Sequence, residues 1–244
     1  MRFDGRVALV SGGANGMGAS HARGLAAEGA RVVVGDIADA DGRALAADLP
    51  DALYQHLDVT SEESWQAAIG AAEEAFGPVD VLVNNAGIFH PGGVEDQAPE
   101  QFRRMLDVNL MGSFLGMHAV LPGMRGRGRG SVVNISSAAG MTGFAGGIGY
   151  GAGKWGVRGM TKAAALDMAG TGVRVNSVHP GVIRTSMGRS VSAELFAHQP
   201  VPRIGEPEEV TRMVLFLASD DASYTTGGEF LIDGGQTIGH GRAG

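Results

Sequence analysis

Short apolar runs alternate with longer stretches of helical periodicity from one end of this 244-residue chain to the other. Runs such as 7–11 are mainly apolar, as is typical of strands that are buried on both faces of a sheet. Strands that alternate with helices predict an α/β fold, a doubly wound and mostly parallel sheet with helices on both faces. No long polar linker interrupts the pattern, so we expect a single domain over residues 1–244.

The same pattern gives the expected bounds of the elements. We predict seven strands, over 7–11, 31–36, 52–57, 79–84, 131–136, 173–179 and 229–233. We predict helices over 16–29, 39–49, 61–76, 99–125, 150–170 and 207–218. Ser61 is a weak cap for the third helix, whereas Pro207 with Glu208 and Glu209 places a proline and carboxylates in the first turn of the last helix, where both are favoured.

Composition and charge exclude several classes of protein. The chain has no cysteine, which excludes a disulfide scaffold and thiolate chemistry and fits a reducing compartment. Its formal charge of −7 disfavours non-specific binding to nucleic acid or anionic lipid. It has no apolar run of about eighteen residues and no secretory leader, so we expect a soluble, cytoplasmic protein that does not bind a membrane.

One basic stretch contrasts with this negative charge. Arg125-Gly126-Arg127-Gly128-Arg129-Gly130 resembles an RNA-binding tract, but it is short and lies between a predicted helix and a predicted strand. We therefore expect a solvated loop and no nucleic-acid partner. The histidines show no His-Glu-x-x-His spacing and no serine lies in Gly-x-Ser-x-Gly, so we expect neither a metal site nor a serine hydrolase.

A glycine-rich turn, Ser11-Gly12-Gly13-Ala14-Asn15-Gly16-Met17-Gly18, links the first predicted strand to the first predicted helix. At this position backbone N–H groups and the positive end of the helix dipole can hold a pyrophosphate. We expect Gly12 to permit the tight turn, Gly16 to admit the phosphate, and Gly18 to let the helix contact the sheet. Because the chain has 41 glycines, a glycine-rich loop without a ligand remains an alternative for this motif alone.

Two carboxylates follow the next two strands. Asp36 ends the second predicted strand, where its side chain can accept hydrogen bonds from the ribose hydroxyls of an adenosine. A 2′-phosphate would meet its negative charge, and neither Asn15 nor Ile37 supplies a cation, so we predict NAD rather than NADP. Asp58 follows the third strand and either contacts the adenine edge, together with Val59, or only caps the strand end.

Tyr150 and Lys154 stand four residues apart in a predicted helix, in a chain with only three tyrosines and two lysines. Side chains at this spacing share one helix face, so the ammonium group is expected beside the phenol. At ~4 Å and an effective dielectric constant near 20, their attraction is about 4 kcal/mol, which predicts a phenol pKa near 7 instead of about 10. Such a tyrosine is a general acid/base at neutral pH, although a surface tyrosine packed along a lysine stem has the same spacing.

Further segments complete a family pattern. Asn84-Asn85-Ala86-Gly87, Asn109, Asn134-Ile135-Ser136-Ser137, Tyr150-Gly151-Ala152-Gly153-Lys154 and Pro180-Gly181 follow the glycine-rich turn in chain order. Together with that turn they resemble the short-chain dehydrogenase/reductases, over the whole chain. The resemblance implies a Rossmann-type domain and hydride transfer between a nicotinamide cofactor and an alcohol or ketone. Segments 54–60, 154–159 and 175–181 are most similar to bacterial 3α,20β-hydroxysteroid dehydrogenases.

The resemblance also implies residue roles. Tyr150 would be the catalytic acid/base, with Lys154 lowering its pKa and binding the ribose of the nicotinamide half. Ser137, preferred to Ser136 by the family spacing, would hydrogen-bond the substrate oxygen, and Asn109 would kink a long helix and present a carbonyl to a water of the proton relay. Cofactor contacts are implied for Gly12, Asn15, Gly16, Met17, Gly18, Asp36, Ile37, Asp58, Val59, Asn85, Ala86, Gly87, Tyr150, Lys154, Pro180, Gly181, Ile183 and Thr185.

The expected substrate is a hydrophobic secondary alcohol, such as a hydroxysteroid or a bulky cyclic or aryl alcohol. A lid over about 185–205 and the segment before Tyr150 supply apolar side chains for its pocket, namely Met187, Val191, Leu195, Phe196, Met141, Phe144 and Ile148. Two alternatives stay open. Asp36 argues against an NADP-dependent 3-ketoacyl reductase, and a non-catalytic nicotinamide-binding sensor would not need both Tyr150 and Lys154.

The predicted helix that contains Tyr150 is unusually rich in glycine. Glycines at 151, 153, 156 and 159 each destabilise a helix by about 1 kcal/mol relative to alanine. Close packing against another backbone would compensate for this cost. We therefore predict that the helix lies in the subunit interface of a homodimer or homotetramer.

Overall fold

The computed structural model describes residues 1–188, 192, 197 and 199–239. In this part of the chain the strands are β1 Val7–Ser11, β2 Arg31–Asp36, β3 Ala52–His56, β4 Val79–Asn84, β5 Gly130–Ile135, β6 Val173–Pro180 and β7 Glu229–Ile232. They form one sheet in the order β3-β2-β1-β4-β5-β6-β7, and every neighbouring pair is parallel. The predicted doubly wound α/β fold with seven strands is confirmed.

The helices of the described residues are α1 Gly16–Ala27, α2 Asp39–Asp48, α3 Glu62–Ala75, α4 Pro99–Leu106, α5 Gly112–Arg127, α6 Ile148–Asp167 and α7 Pro207–Ala218. The predicted helix over 99–125 is present, but a π-helical turn at Asp107–Met111 divides it into α4 and α5. This turn is the kink that the family resemblance implied around Asn109. Other ends differ from prediction by a few residues, and none of these helices has the length and apolarity needed to cross a bilayer.

Alternate residues of the central strands face opposite helical layers. On β1, Leu9 packs in a buried cluster with Trp65 of α3, together with residues of α5 and α6. Its neighbour Val10 packs in a second cluster with Leu25 of α1 and Val214 of α7. Because both faces of the sheet are covered, the strands are apolar at consecutive positions, which is the pattern that the sequence shows.

The predicted cap of α3 is present, and so are the proline and carboxylates predicted in the first turn of α7. Ser61 Oγ accepts a hydrogen bond from Ser64 N at 3.2 Å at the start of α3. At the start of α7, Glu206 and Glu209 form a reciprocal capping box. Arg203 hydrogen-bonds Glu209 at 2.7 Å, which lowers the pKa of Glu209 to about 2. These contacts fix the chain as it enters α7 from the segment at 199–205.

The arginine–glycine tract connects α5 to β5. Gly128 has a φ of +70° and ends α5 in the left-handed conformation. Arg127 Nη2 donates to Val79 O at 2.6 Å, and Arg129 Nε donates to Asp80 Oδ1 at 3.2 Å. Two of the three arginines therefore contact the first residues of β4 instead of projecting as a free basic patch.

Candidate active site

Two cavities open at the carboxyl ends of the parallel strands. The turn cavity, of about 290 Å³, lies between the glycine-rich turn and the ends of β2, β3 and β4. The tyrosine cavity, of about 240 Å³, lies between the ends of β5 and β6 and the start of α6. Met17, Thr185 and Met187 line both cavities, which therefore form one cleft at the point where the strand order reverses, between β1 and β4.

Most of the predicted cofactor contacts line this cleft. The turn cavity is lined by Gly12, Asn15, Gly16, Met17, Asp36, Ile37, Asp58, Val59, Asn85, Ala86, Gly87 and Thr185. The tyrosine cavity is lined by Tyr150, Ser137, Pro180, Gly181 and Ile183 among the predicted residues. Gly18, Asn109 and Lys154 line neither cavity. A Cβ on Gly18 would lie 1.9 Å from Gly12 O, so Gly18 serves the packing of the turn, as predicted.

The glycine-rich turn fits a pyrophosphate. Gly12 and Gly16 have φ values of +61° and +55°, which strain any residue with a side chain. α1 begins at Gly16 on the cavity wall, so its first N–H groups have no partner within the helix. The Asn15 side chain does not cap them, because it donates instead to Asp41 Oδ2 at 2.9 Å. The turn therefore offers N–H donors and the helix dipole to an anionic ligand.

Asp36 is held in place at the far end of the turn cavity. Its Oδ2 accepts from Ala14 N at 3.0 Å, and its Oδ1 accepts from Ala38 N at 3.0 Å. Both oxygens keep a further lone pair, because a carboxylate oxygen can accept more than one hydrogen bond. The carboxylate can thus receive ribose hydroxyls without giving up the contacts that orient it.

Asp58 both caps a strand end and faces the turn cavity. Its Oδ1 accepts from Thr60 N at 2.9 Å and from Thr60 Oγ1 at 2.7 Å, and these bonds keep the pKa of Asp58 below its usual value. The Arg104 guanidinium, which lines the same cavity, lowers this pKa further. Sequence reasoning missed Arg104, because an exposed arginine on α4 belongs to no motif.

Ser137, Tyr150 and Lys154 come together beside the tyrosine cavity. The Ser137 hydroxyl hydrogen-bonds the Tyr150 phenol. Lys154 lies behind them and is buried, with its Nζ 5.7 Å from the Tyr150 ring centroid and donating to Ile135 O at 2.9 Å. Ser136 Oγ donates to Lys154 O at 2.9 Å and is a satisfied buried hydroxyl, as predicted for a serine that points into the sheet.

The prediction of a Tyr150 pKa near 7 is wrong for this arrangement. Burial raises the pKa of Tyr150 above its usual value, and the hydrogen bond with Ser137 only partly opposes this effect. Burial also lowers the pKa of Lys154 to about 8. The predicted attraction assumed a close, half-solvated pair, whereas the ammonium is directed at Ile135 O and desolvation disfavours the charged form of both groups.

Asn109 is buried in the π-helical turn and holds the loop that follows β4. Its Oδ1 accepts from Ile88 N at 2.8 Å, and its Nδ2 donates to Ile88 O at 2.9 Å. Its backbone carbonyl, implied by the resemblance to contact a water, accepts from Ser113 Oγ at 3.3 Å. Asn109 thereby ties the kinked helix to the Asn85–Gly87 wall of the turn cavity.

Of the four α6 glycines on which the interface prediction rested, two are explained by contacts within this chain. A Cβ on Gly153 would lie 3.3 Å from Asn109 Cβ, and a Cβ on Gly156 would lie 2.8 Å from Leu110 Cδ1. At these two glycines α6 thus packs against side chains of the π-helical turn. Gly159 has no neighbour within 4 Å that a Cβ would meet.

Aromatic side chains form a wall of the tyrosine cavity. Phe89 packs edge-on against Tyr150 with ring centroids 5.4 Å apart, and Phe144 lies 6.1 Å from Phe89. Of the residues predicted before Tyr150, Phe144 lines the cavity, whereas Met141 and Ile148 do not. Phe89 was missed, because no spacing rule marks a residue beyond the Asn84–Gly87 segment.

The predicted lid is described only in part. Thr185 and Met187 reach the cleft, as predicted. Val191, Leu195 and Phe196 lie outside the described residues.

The parallel sheet carries a turn that fits a pyrophosphate at the point where the strand order reverses. A serine, a tyrosine and a lysine lie around the neighbouring cavity. Together these features define a class of nicotinamide-dependent oxidoreductases. A family model described as enoyl-(acyl carrier protein) reductase matches residues 12–237. The chain belongs to this family, the short-chain dehydrogenase/reductases, and the resemblance inferred from the motifs is confirmed.

Similar proteins include several alcohol dehydrogenases. The chain is 52% identical to a 3-alpha-(or 20-beta)-hydroxysteroid dehydrogenase of Mycobacterium tuberculosis, over 98% of this chain and 92% of that protein. It is 49% identical to a trans-4-hydroxycyclohexanecarboxylate dehydrogenase of Sinomonas cyclohexanicum, over 96% of this chain and 94% of that protein. It is 40% identical to a cyclopentanol dehydrogenase of Comamonas testosteroni, over 97% of this chain and 98% of that protein. The crystal structure of gox2181 superposes with a TM-score of 0.94 at 35% identity and 98% coverage of both chains.

Proposed function

We propose that this enzyme interconverts a hydrophobic secondary alcohol and the corresponding ketone with NAD(H). The observation that carries the proposal is the geometry of the cleft. Two hydroxyls, those of Ser137 and Tyr150, lie together under an aromatic wall, in one cleft with a turn cavity that ends at Asp36. We also propose that residues 1–244 act as one catalytic domain, with about 185–205 as its lid.

Tyr150 and Ser137 act on the oxygen of the substrate. In oxidation the Tyr150 phenolate accepts the hydroxyl proton, and in reduction the phenol returns it. Ser137 donates a hydrogen bond to the substrate oxygen where negative charge develops. The Lys154 ammonium, 5.7 Å from the phenol ring centroid, stabilises the phenolate electrostatically. When bound, the nicotinamide group accepts or supplies the hydride.

The turn cavity supports NAD as the cofactor. Asp36 presents a fixed carboxylate for the adenosine ribose, and Asp39 and Asp41 add negative charge in the first turn of α2. Among the described residues that line the cavity, the one cation is Arg104, which acts on Asp58. A 2′-phosphate of NADP would therefore meet net negative charge beside Asp36. The ratio of kcat/KM for NAD and NADP tests this assignment, and a preference for NADP would contradict it.

A ring-bearing alcohol fits the tyrosine cavity best. Phe89 and Phe144 offer flat apolar faces, and the named relatives act, by their names, on hydroxysteroids, a hydroxycyclohexanecarboxylate and cyclopentanol. A substrate panel followed by NADH absorbance tests this class. We expect the highest kcat/KM for 3α- or 20β-hydroxysteroids or for cyclic alcohols. Faster turnover of a 3-ketoacyl thioester with NADPH would contradict the proposal in favour of a ketoacyl reductase.

We also propose that α5 and α6 form a homo-oligomeric interface. Both helices expose large apolar side chains to solvent, including Phe114, Trp155 and Leu166, of which Leu166 is 76% exposed. Size-exclusion chromatography with light scattering measures the state, and we expect a dimer or tetramer. A monomer at micromolar concentration would contradict the interface.

A further inference from the structure

His179 is fully buried at the penultimate position of β6, against the backbone of Ser137. Its Nδ1 lies 3.3 Å from Ser137 O, and its Nε2 lies 2.9 Å from Ser177 Oγ. It lines neither cavity and cannot touch a ligand there. Among the histidines of the described residues, it is the one that hydrogen-bonds a residue that the proposed mechanism uses.

The partners of His179 define its protonation state. A carbonyl oxygen only accepts hydrogen bonds, so Nδ1 carries the proton that is donated to Ser137 O. Burial lowers the pKa of His179, which keeps the ring neutral at neutral pH. Nε2 is then an acceptor 2.9 Å from Ser177 Oγ, and the single proton of the Ser177 hydroxyl is shared between Nε2 and Gly228 O at 3.2 Å. The ring is thus a fixed donor toward Ser137.

The sheet gives Ser137 no main-chain donor from β6. The last residue pair between β5 and β6 is Ile135 with Val178. Beyond it, Ser136 N donates to Val178 O at 2.8 Å. The residue that would continue the ladder from β6 is Pro180, which has no N–H. The His179 side chain instead supplies a donor from β6 to the carbonyl of Ser137, two residues beyond the end of β5.

The other contacts of Ser137 lie within its own turn. Ser137 O accepts from Gly140 N at 2.8 Å, and Ser137 Oγ accepts from Ala139 N at 3.1 Å. The second bond leaves the hydroxyl proton free to point toward Tyr150 and a substrate. These contacts shape the turn but do not attach it to the sheet. His179 supplies that attachment.

We propose that His179 is a positioning residue, which anchors the Ser137 carbonyl so that the Ser137 hydroxyl stays aligned with Tyr150. The inference rests on the proposed role of Ser137 as donor to the substrate oxygen. It concerns a histidine outside the catalytic set of Ser137, Tyr150, Lys154 and Asn109.

Two substitutions separate the ring nitrogens. In His179→Asn the amide nitrogen takes the place of Nδ1 and keeps the bond to Ser137 O, whereas in His179→Gln the amide lies at Nε2 and that bond is lost. We expect H179Q to lower kcat about tenfold, with the KM for NAD unchanged, and H179N to keep most of the wild-type kcat. Equal losses in the two variants would overturn the proposal. His179→Met, which has no donor, replaces H179Q if the glutamine variant does not fold.

A double-mutant cycle shows whether His179 acts through Ser137. In the Ser137→Ala background, H179Q is expected to change kcat less than twofold, and a full tenfold loss there would overturn the proposal. His21→Gln alters another fully buried histidine, between α1 and α7, and is expected to lower Tm without changing kcat. If S137A alone keeps normal kcat, the role of Ser137 in the proposed function fails. If S137A is impaired but H179Q is not, only the inference about His179 fails.

Discussion

The turn cavity and the tyrosine cavity are built from different parts of the chain. The first is made largely of main chain, with two glycines at positive φ, the free N–H groups of α1 and a carboxylate oriented by backbone donors. The second is made of side chains from the ends of β5 and β6, from α6 and from the loop after β4. The difference teaches that cofactor binding and chemistry can be separated by substitution, because few side chains serve both.

The largest effect expected from this division concerns Tyr150. Tyr150→Phe removes the proton acceptor but leaves the turn cavity intact, so kcat should fall about a thousandfold. The Kd for NADH, measured by fluorescence titration, should stay within about twofold. Near-normal turnover would refute Tyr150 as the acid/base, and a large loss of NADH affinity would refute the separation of the two cavities.

Asp36 gives the corresponding prediction for the turn cavity. The wild-type protein should favour NAD over NADP by about a hundredfold in kcat/KM, since two charges ~4 Å apart repel by a few kcal/mol near a protein surface. Asp36→Asn should reduce this ratio to below about tenfold and leave kcat with saturating NAD little changed. Asp48→Asn, at the exposed end of α2, is the matched control and should leave the ratio unchanged.

The pH dependence of kcat is expected to arise from the residues around the tyrosine cavity. Burial raises the pKa of Tyr150 above its usual value and lowers the pKa of Lys154 to about 8, so the phenolate forms only well above neutral pH. Oxidation needs the phenolate, so its kcat should rise about tenfold per pH unit through pH ~7 to ~9 without levelling off. Ketone reduction needs the protonated phenol, so its kcat should stay nearly constant over this range. Identical profiles in both directions would contradict this assignment.

The smallest effect is expected at the aromatic wall. Phe89→Ala removes an aromatic face of the tyrosine cavity whose contact with a ring-bearing substrate would contribute about 1 kcal/mol, so kcat/KM for a cyclic alcohol should fall about fivefold, mainly through KM. A short acyclic alcohol should be affected less than twofold. Phe216→Ala, on α7 and lining neither cavity, is the control. Equal losses for cyclic and acyclic substrates would show that the wall does not select rings.

The same contrast explains what could be predicted from the sequence. The phosphate-binding turn and Asp36 follow local rules, because a strand, a turn and a helix N-terminus are contiguous and a strand end fixes where a carboxylate lies. Phe89, Arg104 and His179 were missed, because their roles arise from the packing of elements distant in sequence. The π-helical turn was inferred only from the resemblance, since the apolar pattern over 99–125 is continuous.

The pKa of Tyr150 shows most directly what the sequence pattern does not predict. The spacing to Lys154 correctly places both residues on one helix face, but it carries no information on burial or on where the ammonium is directed. Desolvation then reverses the direction of the shift. A charge pair can therefore be located from sequence, whereas its electrostatics require the surrounding atoms.

Met17, Thr185 and Met187 line both cavities. A ligand in either cavity therefore contacts side chains that a ligand in the other cavity also contacts. Any change in substrate affinity caused by the dinucleotide must then be matched by an equal change in dinucleotide affinity caused by the substrate, because the four binding equilibria form a closed thermodynamic cycle. We therefore expect these three side chains to couple the two binding equilibria, so that the bound dinucleotide changes the apparent Kd for the substrate and the reverse.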